Sequence, residues 1–288
     1  MPKIILYALP YILLTCLSCH AADVLIIADA QLKPVMEVTL GMRKTLHAST
    51  KTYSPGEVRG NLTAILQKEE ARVVVALGRE ALAEALTLPQ SIPVIYDMVV
   101  TPPAVSRSNT VGFFMATPAG EYAELVRNHL PGLKQVSVVG SRTLLNLLAG
   151  DLSYPLNSHT VNNTVEFVNM VKQLDNADAI LLLPDSGIMT ATAMEEAYLL
   201  SFRRRIPLLG ISERHVKEGA LLALVVDMVN VGRVIGEYAT RALKSGSVGQ
   251  QSAFPPRKFD LYLNMGTARK MRLNIPDELV RMARKAYP

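Results

Sequence analysis

The sequence predicts an α/β protein of two lobes, each a doubly wound, parallel sheet flanked by helices. Three observations carry this. First, short and continuously apolar runs such as Ala179–Leu183 and Leu221–Val226 have the length and two-sided hydrophobicity of parallel strands buried on both faces. Second, these runs alternate with helix-period segments, and each ends in a polar or glycine-bearing turn. Third, about 266 residues remain after the first 22, long for one core and suited to two lobes of ordinary domain size.

In chain order, the first lobe opens with a strand over Val24–Ile27, then Asp29-Ala30-Gln31 and a helix from Met36 to Leu46. A second helix near Glu57–Lys68 leads to a strand over Arg72–Leu77. Gly78-Arg79-Glu80 opens a helix that runs to Leu86, and Ile92–Tyr96 is the next strand. From Asp97 to Phe114 the chain has Pro102-Pro103, serines and no periodicity, so this stretch is assigned as the linker to the second lobe.

The second lobe begins with a helix over Pro118–Leu130, a strand over Gln135–Val139 and the loop Gly140-Ser141-Arg142. Residues 151–163 are polar and weakly patterned, with a short strand at His159–Val161, and a helix follows over Thr164–Leu174. The most informative stretch is 178–233. Its first strand breaks at Pro184-Asp185-Ser186-Gly187, with a helix from about Met189. The next strand, Ile206–Ile211, ends at Ser212-Glu213, and Leu221–Val226 ends at Asp227. Ligands of open α/β sheets sit at the carboxyl ends of the strands, so Asp185, Ser212 and Asp227 are expected to share one mouth. No short-period repeat is present.

The first 22 residues carry one charge, Lys3, then an apolar run from Ile4 to Leu17 and the small residues Ala21-Ala22. This pattern predicts an export signal cleaved after Ala21 or Ala22 and a periplasmic mature protein. Both cysteines, Cys16 and Cys19, lie inside that segment, so disulfides and cysteine catalysis are excluded for the mature chain. Leu17-Ser18-Cys19 is two-thirds of a lipobox, which makes lipid anchoring at Cys19 the alternative; Cys16 stands where Leu is preferred. The net charge is +5. Its basic clusters, Arg203-Arg204-Arg205 and Arg281, Arg284, Lys285, are not interleaved with aromatics and read as solvated helix ends, so no nucleic-acid partner is expected.

A strand ending in Pro184-Asp185, the strand after Arg205-Ile206-Pro207, the block Val216-Lys217-Glu218-Gly219-Ala220-Leu221 and the helix start Asp227-Met228-Val229-Asn230-Val231-Gly232-Arg233 resemble the periplasmic substrate-binding proteins of ABC importers. The likeness is closest to the type I branch grouped with tryptophan- and tyrosine-uptake binding proteins. Leu263-Asn264-Met265, Thr267-Ala268 and Leu273–Leu279 match the closing block of that family, with Asn274 where Gly is usual. Ser91–Tyr96 and Asn109-Thr110-Val111-Gly112 match two further blocks. The resemblance implies a three-segment hinge with crossings near 112–118, 226–230 and 260–264. Lobe 1 then comprises 23–114 with 229–260, and lobe 2 comprises 115–228 with 261–288. A last helix over Pro276–Ala286 would cap lobe 2.

No catalytic machinery is visible. His47, His129, His159 and His215 are isolated, without zinc-site spacing. There is no Walker loop, no Gly-x-Gly-x-x-Gly and no nucleophile elbow at Gly210-Ile211-Ser212. The chain is therefore read as a binding protein, not an enzyme, with no metal and no cofactor. Candidate ligand residues are Gln31, Gly78, Arg79, Tyr96, Asp97 and Thr101 from lobe 1, and Ser141, Arg142, Asp185, Ser186, Ser212 and Asp227 from lobe 2. Each has a structural alternative: Asp185 and Asp227 as helix caps, Arg79 paired with Glu80 or Glu84, and Tyr96 as core. The absence of Trp and the 6% aromatic content leave few stacking platforms for sugars. Acids, hydroxyls and arginines at one mouth suit an amino acid or related zwitterion. The expected partners are that solute and an ABC permease, with a membrane sensor as alternative and a monomeric chain. An exported hydrolase or isomerase on the same sheets is the reading from another class.

Overall fold

A computed structural model describes residues 22–103, 107–149, 156–249, 255–256 and 258–288. The expected signal segment, with Cys16 and Cys19, lies outside the described residues. The chain is α/β throughout. Its first half runs β1 (Val24–Ile27), α1 (Lys33–Met42), β2 (Thr50–Tyr53), α2 (Pro55–Val58), α3 (Leu62–Glu69), β3 (Val73–Leu77), α4 (Arg79–Ala85), β4 (Val94–Val99), β5 (Thr110–Phe114) and α5 (Ala119–His129). It continues with β6 (Val136–Gly140), α6 (Arg142–Leu148), β7 (Leu156–Thr160), α7 (Thr164–Gln173), β8 (Ala179–Leu182), α8 (Ala191–Arg204), β9 (Leu208–Gly210), α9 (Glu213–Glu218) and β10 (Leu222–Val226). The end comprises α10 (Met228–Ser245), β11 (Phe259–Asn264), α11 (Met265–Met271), α12 (Asp277–Met282) and β12 (Lys285–Tyr287).

The strands form two sheets, in the orders β2-β1-β3-β4-β5 and β12-β11-β10-β9-β8-β6-β7. Every pair in the first is parallel. In the second, β10 and β11 are antiparallel. Alternation along the central strands explains the unbroken apolar runs. Val73, Val75 and Leu77 of β3 face the layer of α1 and α10, whereas Val74 and Ala76 face α2, α3 and α4. The second sheet is likewise covered by α5, α6, α11 and α12 on one face and by α7 and α8 on the other. Each fully buried Val, Ile or Leu contributes roughly 1.5–3 kcal/mol relative to exposure, and a two-faced strand gains this at every position.

The chain changes sheets after β5 and again at Asp227, between β10 of the second sheet and α10 of the first sheet's helical layer. Helix α10 is bound to α1 at backbone contact distance. A Cβ on Gly232 would stand 2.1 Å from the Val38 carbonyl oxygen, and one on Gly41 would stand 2.1 Å from the Val229 carbonyl oxygen. Only glycine permits that approach. Thr45 Oγ1 adds a hydrogen bond to the Arg233 carbonyl at 2.7 Å. On the other side of the junction, β9 ends at Gly210 while β10 continues. The fully buried Tyr122 of α5 closes that gap: its hydroxyl donates to the Gly210 carbonyl at 2.7 Å and accepts from the Leu224 amide at 3.1 Å. Nearby, Thr117 Oγ1 donates to the Leu224 carbonyl at 2.9 Å.

Several elements differ from the sequence expectation. The expected linker of 97–114 contains the last residues of β4 and all of β5. Its organiser is Arg107, whose buried guanidinium donates to the carbonyls of Leu88, Pro89 and Ile92 and to Thr110 Oγ1. The helix expected over Glu57–Lys68 is two, broken between Val58 and Leu62 around Gly60 at φ 69°. Edge strand β2, Thr-Lys-Thr-Tyr with three exposed residues, has no apolar face to betray it. The helix expected over Pro276–Ala286 stops at Met282, and Lys285–Tyr287 pairs with β11 as a strand. Among the described residues, no helix is long and apolar enough to cross a membrane.

Candidate functional site

The carboxyl ends of the parallel strands carry most of the residues singled out in the sequence. In the first sheet, β1 leads to Gln31, whose amide donates to Asp29 Oδ1 at 3.1 Å and whose side chain is exposed. Gly78, at φ 104°, caps α4 and faces open space. Arg79 is exposed and has no ion pair among the described residues. The partners suggested for it, Glu80 and Glu84, lie instead against Arg59 at 3.4 and 3.8 Å. Arg79 and Thr101 line a groove of about 380 Å³ floored by Leu82, Leu86, Val99 and Pro103. Tyr96 is core: its ring packs against Gly112, where any Cβ would overlap it.

Asp97 stands apart from the others. It is 2% exposed, and its Oδ2 has no hydrogen-bond partner. Burial raises its carboxyl to a pKa of about 7, only partly opposed by the Met98 amide. The ladder between β4 and β5 is broken here, resuming only at Val99 opposite Phe114. Met98 takes the left-handed region, at φ 61°.

In the second sheet, Ser141 precedes α6 without a side-chain cap, and Arg142 is exposed. Asp185 Oδ1 accepts from the Gly187 amide at 3.2 Å in the turn after β8. It does not cap α8; Thr190 does that. Ser186 is exposed in the same turn. Ser212 caps α9 through the His215 amide at 3.2 Å. Asp227 caps α10 through the Asn230 amide at 2.9 Å.

A pocket of about 250 Å³ opens between the two sheets. Lys33, Pro34 and Glu37 of α1 form one wall, Ile211, Glu213, Tyr262 and Arg284 the opposite one, and Met115, Val226 and Asp227 lie where the chain changes sheets. Of the residues singled out in the sequence, this pocket gathers Asp227 alone. Arg284 donates to Asp260, which also lines the pocket, and this contact with Glu37 nearby holds its guanidinium charged. Glu213 accepts from the Tyr287 hydroxyl and pairs with Lys217 at 3.2 Å, which lowers its carboxyl below the usual range. In the sequence, Arg284 read as a solvated helix end and Glu37 was not singled out; only the fold brings them to one cleft.

A charged, half-open cleft of this kind can hold a small polar solute through ionic and hydrogen-bond contacts from both walls. Among the described residues, no three His, Cys, Asp or Glu converge as a metal site.

Comparison with known proteins agrees with this architecture. Among solved structures, a ligand-free, open substrate-binding protein with adhesive properties from Clostridium difficile has a TM-score of 0.70 at 13% identity, covering 92% of this chain and 99% of that one. An ABC domain in complex with L-Trp from Streptococcus pneumonia has a TM-score of 0.58 at 16% identity, covering 91% and 99%. A conserved domain protein from Vibrio cholerae has a TM-score of 0.58 at 18% identity, covering 92% and 99%. These are likenesses of fold, the type I periplasmic-binding arrangement. A search of curated proteins gave no match. The family model described as ABC transporter substrate binding protein matches residues 54–287, and the chain belongs to that family.

Proposed function

We propose that this chain is the exported solute-binding component of an ABC importer, which takes a small polar solute, an amino acid or related metabolite, between two hinged lobes. The first lobe comprises the first sheet with α10, and the second lobe comprises the second sheet. The observation that carries this reading is the pocket with one wall from each sheet and its floor where the chain crosses between them. Its size, about 250 Å³, lies below the 300–1,000 Å³ usual for drug-sized ligands and suits a metabolite. The strand-end candidates add acids, hydroxyls and a guanidinium at the carboxyl ends of the two sheets, Asp227 in this pocket and Arg79 and Thr101 along a separate groove.

Capture requires no bond chemistry. A solute that touches both lobes favours the closed arrangement because it binds that state more tightly than the open one. The L-Trp carried by one structural relative supports the amino-acid class. The crossings after β5 and at Asp227 are the hinge points of this reading, supported by the Tyr122 bridge on one side and the close α1–α10 contact on the other.

The test is a thermal-shift screen of the chain from Ala22 onward against amino acids, peptides, nucleosides and sugars. A ligand that binds only the native state raises the melting temperature. The reading predicts a shift with one or more amino acids; a shift confined to sugars or nucleosides overturns the ligand class. Mass spectrometry of the secreted chain should find an N-terminus near Ala22 or a lipid on Cys19, and a retained Met1 would contradict export.

A further inference from the structure

Asp97 carries three irregularities within two residues. Its Oδ2 is buried and unpaired, the β4–β5 ladder skips it and Met98, and Met98 adopts a left-handed conformation. Each is costly, and a folded protein keeps such a combination where the surroundings enforce it for a purpose. A bulge re-aims a side chain, and bulges are concentrated beside functional sites. Here the bulge stands at the carboxyl end of a central strand. Asp97 pairs with Leu77, the last residue of β3, and its carbonyl accepts from the Gly78 amide at 2.9 Å. A Cβ built on Gly78 would meet no atom within 4 Å, so the backbone next to Asp97 is loosely covered on that side.

Alternation along β4 puts the Asp97 side chain on the face of Ile95, toward the layer of α1 and α10. Met98 and Met115, both partly buried, pack at this edge of that cluster, and Met115 also lines the pocket between the sheets. Thioether side chains are flexible and repack at low cost. A carboxylate in this position lacks a counter-charge, and water does not supply one at 2% exposure. A neutral or anionic solute leaves that deficit in place; a protonated nitrogen removes it.

We infer that Asp97 receives a protonated nitrogen of the bound solute from the first-lobe side, which makes it the residue that selects for amine-bearing ligands. This rests on the solute-binding reading above. The raised pKa fits the role, because burial disfavours the charged carboxylate when the site is empty and an arriving cation favours it.

The experiment uses the chain from Ala22 onward, wild type and Asp97→Asn, at pH 8. The probes are the twenty amino acids, their decarboxylated amines and their deaminated acids, for example L-tryptophan, tryptamine and indole-3-propionate, followed by calorimetric titration of each binder. The inference predicts that wild type binds a parent amino acid at least tenfold more tightly than its deaminated acid. It also predicts that Asp97→Asn abolishes that difference while remaining folded by circular dichroism. Equal affinity of Asp97→Asn and wild type for an amine-bearing probe overturns the inference and leaves the solute-binding reading standing. If no probe shifts the melting temperature of wild type, the amino-acid reading itself fails, and the inference with it.

Discussion

Replacing Asp97 by Asn should stabilise the protein at pH 8 and do progressively less as the pH falls. The carboxyl is buried without a partner, so the folded state raises its pKa from 3.8 to about 7. The sign follows from proton binding. Between about pH 4 and pH 7 the folded chain holds this proton and the unfolded chain has released it, so raising the pH favours the unfolded state. Roughly three pKa units at 1.36 kcal/mol each correspond to a total of about 4 kcal/mol, and about 3 kcal/mol of it falls between pH 5 and pH 8. Asn has a similar shape and no charge, so it lacks this slope. Urea unfolding of both proteins at several pH values isolates the effect, because the other titrating groups cancel in the difference. The stability gap, Asn minus wild type, should widen by about 3 kcal/mol from pH 5 to pH 8. Parallel profiles, or an Asn protein less stable at pH 8, would show that the carboxylate has a favourable partner and would refute the reasoning.

Three further outcomes follow from the same geometry. Tyr122→Phe leaves the Gly210 carbonyl and the Leu224 amide buried without the bridging hydroxyl; the loss should be about 1–3 kcal/mol for each orphaned group, read by urea unfolding, and an unchanged midpoint would mean the groups find water. Gly232→Ala drives a methyl group into the Val38 carbonyl, so a loss of at least 1–3 kcal/mol is expected by the same method, with wild-type stability showing that α1 and α10 can separate freely. Asp185→Asn should leave the melting temperature unchanged, since among the described residues the Asp185 carboxylate accepts from the Gly187 amide, which an Asn oxygen can replace, yet weaken binding of the solute found by the thermal-shift screen by about 1.5–3 kcal/mol in calorimetric titration; unaltered affinity removes Asp185 from the site.

Much of the fold was legible because a strand buried on both faces must be continuously apolar. Ala179–Leu182, Leu222–Val226 and Val73–Leu77 announce themselves in this way. Strands at sheet edges do not, because one side of the ladder and most of their side chains meet water: β2, β7 and β12 were absent or vague for that reason. The stretch of 97–114 was misread as linker because its organiser is a single arginine. Arg107 collects backbone carbonyls from residues 15 to 19 positions away, and no local pattern encodes that. At the candidate site, the principle that ligands gather at strand ends pointed to the loops after the strands but not to which side chains act as caps. Ser212 and Asp227 bond their own helices, whereas Asp185 and Asp97 do not. Arg284 and Glu37, 247 positions apart, come to one cleft only through the third dimension.

The central claim is capture between two moving lobes, and the distance between those lobes tests it most directly. Residues 22–288 contain no cysteine, so two introduced ones are unique labelling sites. Gln67→Cys on α3 and Gln173→Cys on α7 place a spin label on each lobe, both at exposed positions. Pulsed electron resonance is then recorded without and with the amino acid that raises the melting temperature most. The account predicts that the distance distribution shifts to a shorter value when that amino acid saturates the protein. A raised melting temperature with an unchanged distribution would show that the solute binds without drawing the lobes together, and would contradict the account.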